Sequence, residues 1–295
     1  MENNNVKIAV LSGKGGTGKT LVSVNLASVA GESIYIDCDV EEPNGHLFFK
    51  PTAIYQEDIA VKIPVVNESL CSGCRKCVDF CKFNALAFIK IKNKPYIFEE
   101  VCHSCGGCML ICPEKAISER ERYIGKVQKG VSGNVTVNSG ILNTGEESGI
   151  PIIKKLLEES ASYEDFPVFI DCPPGSACMV MESIKNVDYC ILVAEPTVFG
   201  VHNLSMVYDL VKLFGKPYGV VLNKCLDGEN PAEIFCISKN IPILGRIPFD
   251  PELGKLNSEA KIAVRESERF RELFLSLYKT IMKEARHETT ADSKR

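Results

Sequence analysis

Eight of the fourteen cysteines lie between Cys71 and Cys112, in two runs that each read C-x2-C-x2-C-x3-C. Thiols this close together, in a chain expected to stay in a reducing compartment, are metal ligands before they are disulfide partners. Two residues between cysteines let a loop wrap round one face of a metal centre while its N–H groups point inward. The runs, CSGCRKCVDFCKFNAL and CHSCGGCMLICPEKAI, superpose at a constant offset of 31 residues, so that Ala85 and Ala116 coincide as well. A second chemistry stands near the start of the chain. Gly13-Lys14-Gly15-Gly16-Thr17-Gly18-Lys19-Thr20 satisfies G-x-x-x-x-G-K-[ST]. Its glycines let consecutive N–H groups curl around phosphates, Lys19 can reach β and γ oxygens, and the Thr20 hydroxyl can ligate Mg²⁺.

A phosphate loop needs a strand before it and a helix after it, and both are present. VKIAVL (Val6–Leu11) is a short apolar run, Lys19–Ala30 has apolar residues at helical spacing, and SIYIDCD (Ser33–Asp39) is β-rich again. The pattern resumes downstream in PVFID (Pro167–Asp171), YCILVA (Tyr189–Ala194), YGVVLN (Tyr218–Asn223) and PILGRI (Pro242–Ile247), with helical segments such as Asn203–Phe214 between them. Continuous rather than alternating apolar runs suit strands covered on both faces. The expected fold is therefore α/β, a doubly wound and mostly parallel sheet, with a small α+β insert entering after the second strand. The expected divisions are 1–59 and 121–288 for the host, 60–120 for the insert, and 289–295 for a polar tail. Gly125–Gly149, rich in Gly, Ser, Asn and Thr, reads as turns and short strands returning to the host.

The second lysine of the loop, Lys14, makes it K-G-G-x-G-K-T, which resembles the MinD/Mrp/ParA and nitrogenase-iron-protein class of P-loop ATPases. That resemblance covers about residues 6–57 and 160–285. It implies ATP and Mg²⁺ as ligands, and a dimer, of like or related subunits, in which Lys14 crosses to the partner's nucleotide as an arginine finger would. By the same resemblance, DCDVEEPN is a first switch. There Asp39 would orient or deprotonate the attacking water, and Asp37 would stand with Thr20 and Asp171 about Mg²⁺. FIDCPPG is a second switch, with Asp171 on Mg²⁺ through water and the Gly175 N–H sensing the γ-phosphate. Asn223 and Pro248-Phe249-Asp250 match the places that hold adenine. The cysteine runs in turn resemble bacterial ferredoxins with two [4Fe-4S] clusters, in which the fourth cysteine of each run ligates the other cluster. That rule groups Cys71, Cys74, Cys77 and Cys112 as one ligand set, and Cys102, Cys105, Cys108 and Cys81 as the other. Cys112 is followed by the usual proline, but Cys81 by Lys82. Two zinc ions would use the same eight thiolates, although a duplicated three-plus-one arrangement is not a zinc-ribbon pattern.

His103 is expected to make a surface hydrogen bond, since four thiols already complete its site. Cys38, Cys190, Cys225 and Cys236 read as small buried hydrophobes. Cys172 and Cys178 bracket the second switch; Cys178 has the spacing from Asp171 of a cysteine that holds a bridging cluster in the nitrogenase iron protein, with burial as the other reading. From Phe270 an apolar stripe at i, i+3, i+4, i+7 predicts a last helix packed on the sheet, or else one laid on a membrane. The net charge of −4 argues against nucleic acid, and no apolar run approaches bilayer-spanning length. With Met1–Asn5 leading straight into a strand, a cytoplasmic protein is expected. Three payloads remain open: low-potential electron transfer gated by a nucleotide-switched dimer, delivery of clusters or metals to client proteins, and spatial organisation of the MinD/ParA kind.

Overall fold

The computed structural model describes residues 6–160 and 165–292. The elements follow in the order β1 (Lys7–Leu11), α1 (Lys19–Val29), β2 (Ser33–Asp37), α2 (Gly45–Phe49), β3 (Thr52–Val66), α3 (Lys76–Phe80), β4 (Leu86–Ile89), β5 (Lys94–Ile97) and α4 (Gly107–Ile111). The chain continues through β6 (Ile117–Ser132), β7 (Val135–Leu142), α5 (Ile150–Ser160), β8 (Val168–Asp171), α6 (Cys178–Ile184), β9 (Tyr189–Ala194) and α7 (Val198–Leu213). It ends with β10 (Tyr218–Cys225), α8 (Pro231–Ser238), β11 (Ile243–Pro248), α9 (Pro251–Ser258), α10 (Ala263–Glu266) and α11 (Glu268–Asp292).

Nine strands form one sheet in the order β11-β10-β9-β1-β8-β2-β7-β6-β3. From β11 to β7 every neighbouring pair is parallel, and β6 and β3 close the edge antiparallel. Side chains of a strand alternate between faces, and β1 divides accordingly. Ile8 and Val10 join one core with Phe169, Phe270 and Phe274, while Ala9 and Leu11 join the other with Ile170, Leu204 and Val207. That is the α/β architecture, covered on both faces, that the unbroken apolar runs require. The stripe of α11 is spent on this packing: Phe274 and Ile281 are fully buried. Among the described residues no helix is long and apolar enough to cross a membrane.

The insert departs from expectation in its stems. β3 pairs with β6 along nearly their whole length, from Thr52 opposite Val131 to Val66 opposite Ile117. The stretch read as turns and short strands instead holds the second half of a 16-residue strand and the whole of an 8-residue one. The expected boundaries at 59/60 and 120/121 fall inside strands, because a continuous antiparallel ribbon carries the insert out from the sheet edge. Beyond it lie α3, α4, the β4–β5 hairpin and a small core of Cys77, Ala85, Leu86, Cys108 and Ile117. At the other end of the chain the expected polar tail is helical through Asp292, while residues 293–295, like 1–5, lie outside the described residues.

Candidate functional site

Three strands end side by side where the phosphate loop begins. Asp171, last in β8, is the register partner of Val10 in β1 and of Asp37 in β2. The loop that follows β1 bends through positive φ at Gly16 and Gly18, the latter capping α1. A side chain at Gly13 would run into the Asn203 carbonyl of α7 at 2.2 Å, whereas nothing stands within 4 Å of Gly15 or Gly16. The loop is thus pinned at its base and open at its crown, which leaves its N–H groups free to face phosphate.

Lys19 reaches from the first turn of α1 back to the strand ends. Its ammonium lies 2.8 Å from Asp171 Oδ1 and 3.5 Å from Asp39 Oδ2. Burial works against that charge, but Asp171 and Asp39 outweigh it and hold Lys19 above its ordinary pKa. The Tyr35 hydroxyl, kept protonated by burial and the Asp171 charge, donates to Asp171 Oδ2 at 3.0 Å. Asp37 accepts from the N–H groups of Gly45 at 2.8 Å and Asp39 at 3.2 Å. Burial, then the neighbouring Asp171, pushes Asp37 up to about 8, and burial also raises Asp39. Asp37, Asp39 and Asp171 against one lysine leave surplus negative charge at the strand ends.

Lys14 points to a different partner. Its ammonium is 3.1 Å from Glu195 Oε2 and sits 5.1 Å over the Phe199 ring. Lys224 holds the other oxygen of Glu195 at 2.9 Å and the Gly16 carbonyl at 2.7 Å. Burial would raise Glu195, yet Lys224 and Lys14 prevail and keep it below the usual carboxylate range. No motif marks Glu195, Lys224 or Tyr35 in the sequence; only the folded sheet brings Glu195 and Lys224 to the loop and Tyr35 to Asp171.

The remaining sequence expectations divide. The Gly175 N–H donates to the Ser12 carbonyl at 2.9 Å, so it is placed against the phosphate loop but is occupied. Asn223 is buried and donates its amide to the Thr17 carbonyl at 2.8 Å, in the space left by the absent side chain of Gly18. It braces the loop. The Asp250 carboxylate is similarly engaged, capping α9 through the N–H groups of Glu252 and Leu253 and pairing with Arg269. Phe249 is exposed beside it. Cys172 lies in the core with Cys38 and Cys190, while Cys178 is exposed at the start of α6. Cys225 is only half-buried, and its thiol donates to the Leu222 carbonyl. His103 stacks on Phe83, ring centroids 3.8 Å apart, in place of the expected hydrogen bond.

The two cysteine runs fold as copies. Positive φ recurs at Gly73 and Ser104, at Arg75 and Gly106, and at Asn84 and Lys115, each pair 31 residues apart, and α3 and α4 begin at matching positions. Left-handed residues between helical ones turn successive N–H groups to one side and shape an anion-binding nest. Four thiols then share each of two cavities. Cys71, Cys74, Cys77 and Cys112 line the first, and Cys81, Cys102, Cys105 and Cys108 line the second, which holds about 220 Å³. Each cavity takes its fourth thiol from the other run. Among the described residues no three His, Cys, Asp or Glu side chains converge as they would on a single ion.

Comparison with known proteins finds relatives of both parts of the chain. The family model for the CobQ/CobB/MinD/ParA nucleotide binding domain matches residues 8–264. An uncharacterized protein of Methanocaldococcus jannaschii is 31% identical over 285 residues, 94% of this chain and 96% of that one. An uncharacterized ferredoxin of the same organism is 39% identical over 61 residues, 20% of this chain and 78% of its own length. Among solved structures, the cell division ATPase MinD of Pyrococcus furiosus superposes with a TM-score of 0.60 at 20% identity, covering 95% of this chain and 99% of that one.

Proposed function

The chain belongs to the CobQ/CobB/MinD/ParA nucleotide-binding family, and from that premise we propose that it is an ATP-hydrolysing iron–sulfur protein whose nucleotide-switched dimer gates low-potential electron transfer through two [4Fe-4S] clusters. The observation that carries this reading is the pairing of thiols: three from one run and the fourth from the other around each of two cavities. Donors spread round a cavity wall suit a multi-iron cluster better than a single tetrahedral ion, and cross-ligation is how tandem runs of this spacing hold two clusters. When bound, such clusters would store and pass single electrons. The likeness to a ferredoxin over 61 residues supports the same assignment.

At the nucleotide end, Lys19, which lies against Asp171 and Asp39, would turn to the β and γ oxygens when ATP enters. Mg²⁺ would then take over the charge of Asp37 and Asp171, with Thr20 as a further ligand and Asp39 left to orient or deprotonate the attacking water. Lys14 must leave Glu195 before it can serve a partner subunit, so dimerisation and its release are one event.

A second reading, delivery of clusters to client proteins, draws on the exposure of Cys74 and Cys105, the second thiol of each run. One experiment separates the two. Reduced, iron-labelled protein purified without oxygen is mixed with ATP and an apo-ferredoxin. ATP-dependent oxidation with iron retained supports electron transfer; label appearing on the acceptor overturns it in favour of delivery. Protein that is colourless and contains zinc without iron overturns both.

A further inference from the structure

The loop Asn143–Gly149, between β7 and α5, touches the nucleotide switches at one end and the root of the insert at the other. At the first end Leu142 N–H donates to the carbonyl of Val40, the residue after Asp39, at 2.8 Å. Val40 is buried, and a side chain on Gly140 or Gly149 would come within 2.6 or 2.2 Å of it. The same Gly149 position lies 3.2 Å from the sulfur of Met179 on α6, just beyond the second switch. Val40 and Met179 thus pack closely over this loop, and close-packed contacts transmit displacement.

The other end grips a hinge. Ile59 pairs with Gly125 but Ala60 pairs with Tyr123, so Ile124 is an extra residue, a β-bulge. Pairing between β6 and β7 stops at Gly125. The ribbon therefore leaves the sheet at its most bendable point. Asn143 donates from its N–H to the Ile124 carbonyl at 2.9 Å and from its side chain to the Tyr123 carbonyl at 3.3 Å. One residue further out, Arg122 forms a two-pronged pair with Glu146, at 2.9 and 2.7 Å, with both side chains largely shielded. Arg122 and Glu146 border a cleft of about 200 Å³ that Cys102, His103 and Ser104, the start of the second cysteine run, also line.

We propose that Arg122 and Glu146 are positioning residues that couple the nucleotide switches to the second thiol cavity: movement of Val40 and Met179 is passed through the loop to the bulge, and from there to the Cys102 wall. The inference rests on reading the nucleotide end as a two-state switch. A bidentate guanidinium–carboxylate pair is directional enough to carry such movement, and the cleft beside it leaves room for it.

Hydrogen exchange on the full chain, purified without oxygen, tests this in Mg²⁺ with a non-hydrolysable ATP analogue against ADP. The expected result is a nucleotide-dependent difference at 38–45, 143–149 and 102–106, with none at 71–75. E146Q and R122K should each keep the difference at 38–45 and lose most of it at 102–106, and the swapped pair R122E/E146R should restore it. A difference at 102–106 that survives both single variants undiminished, or that is missing in the unaltered chain while 38–45 responds, overturns the proposal. Silence at 38–45 in the unaltered chain overturns the two-state switch itself, and the coupling with it.

Discussion

At the scale of single residues, the nucleotide end is a set of charges held in provisional pairs. Lys14 has its charge met by Glu195 within its own chain. Lys14→Ala should therefore leave nucleotide binding intact and lower dimer-linked hydrolysis by roughly 10³-fold, the lower range for a cation delivered across an interface. Binding by calorimetry and turnover at rising protein concentration check both halves. Normal hydrolysis by the variant would refute the cross-subunit role. Lys19→Ala, by contrast, should abolish binding. Asp37 supplies a pH test. Its pKa is pushed up to about 8 by burial and by Asp171, so the nucleotide-free fold keeps a proton that the unfolded chain has released well below neutrality. Stability contributed this way is present at acid pH and lost as pH rises through about 8. Denaturant midpoints without Mg²⁺ should fall between about pH 6 and 9, and Asp37→Asn should flatten that slope. Binding of Mg²⁺-nucleotide, which needs the ionised carboxylate, should tighten over the same window.

At the scale of elements, what could be read ahead of the structure depended on burial. β1, β2, β8 and β9 are covered on both faces and announce themselves as continuous apolar runs. The ribbon does not. ISERERYIGKVQKGVS in β6 is exposed or half-exposed over much of its length, and β3, its partner in the ribbon, lies beyond the whole insert; only its last half pairs locally, with β7 across Gly133-Asn134. The phosphate loop and the cysteine runs were legible because their chemistry fixes spacing. Glu195, Lys224 and Tyr35 were not, because they meet Lys14, Gly16 and Asp171 only through sheet order. At Asp250 a motif position also carries a structural task. Its carboxylate caps α9, so Asp250→Ala should cost about 1 kcal/mol and a few degrees in Tm. If capping is its whole task, nucleotide affinity in the folded variant will match the parent; a matching loss of adenine nucleotide affinity would restore the direct contact that the motif suggested.

At the scale of the whole molecule, the arrangement of thiols makes the insert one unit rather than two. Each run lends three thiols to its own cavity and its fourth to its neighbour's, so loss of Cys81 or Cys112 opens the cavity of the other run. Because metal binding energy is also folding energy in a small domain, losing a thiol from both cavities at once should cost the insert its fold. The nucleotide host has its own two cores on either face of the sheet and does not share that dependence. Stripping iron with a chelator should therefore leave Mg²⁺-nucleotide binding in place. The sharper test substitutes two cysteines of the second run only. If each run held its own cluster, Cys105→Ala with Cys112→Ala would spare Cys71, Cys74, Cys77 and Cys81, and one intact [4Fe-4S] signal would remain. With ligands exchanged between runs, the same double variant removes one thiol from each cavity. Paramagnetic resonance of the reduced protein should then show no intact cluster of either kind, while Cys74→Ala with Cys77→Ala should leave the signal of the second cavity standing.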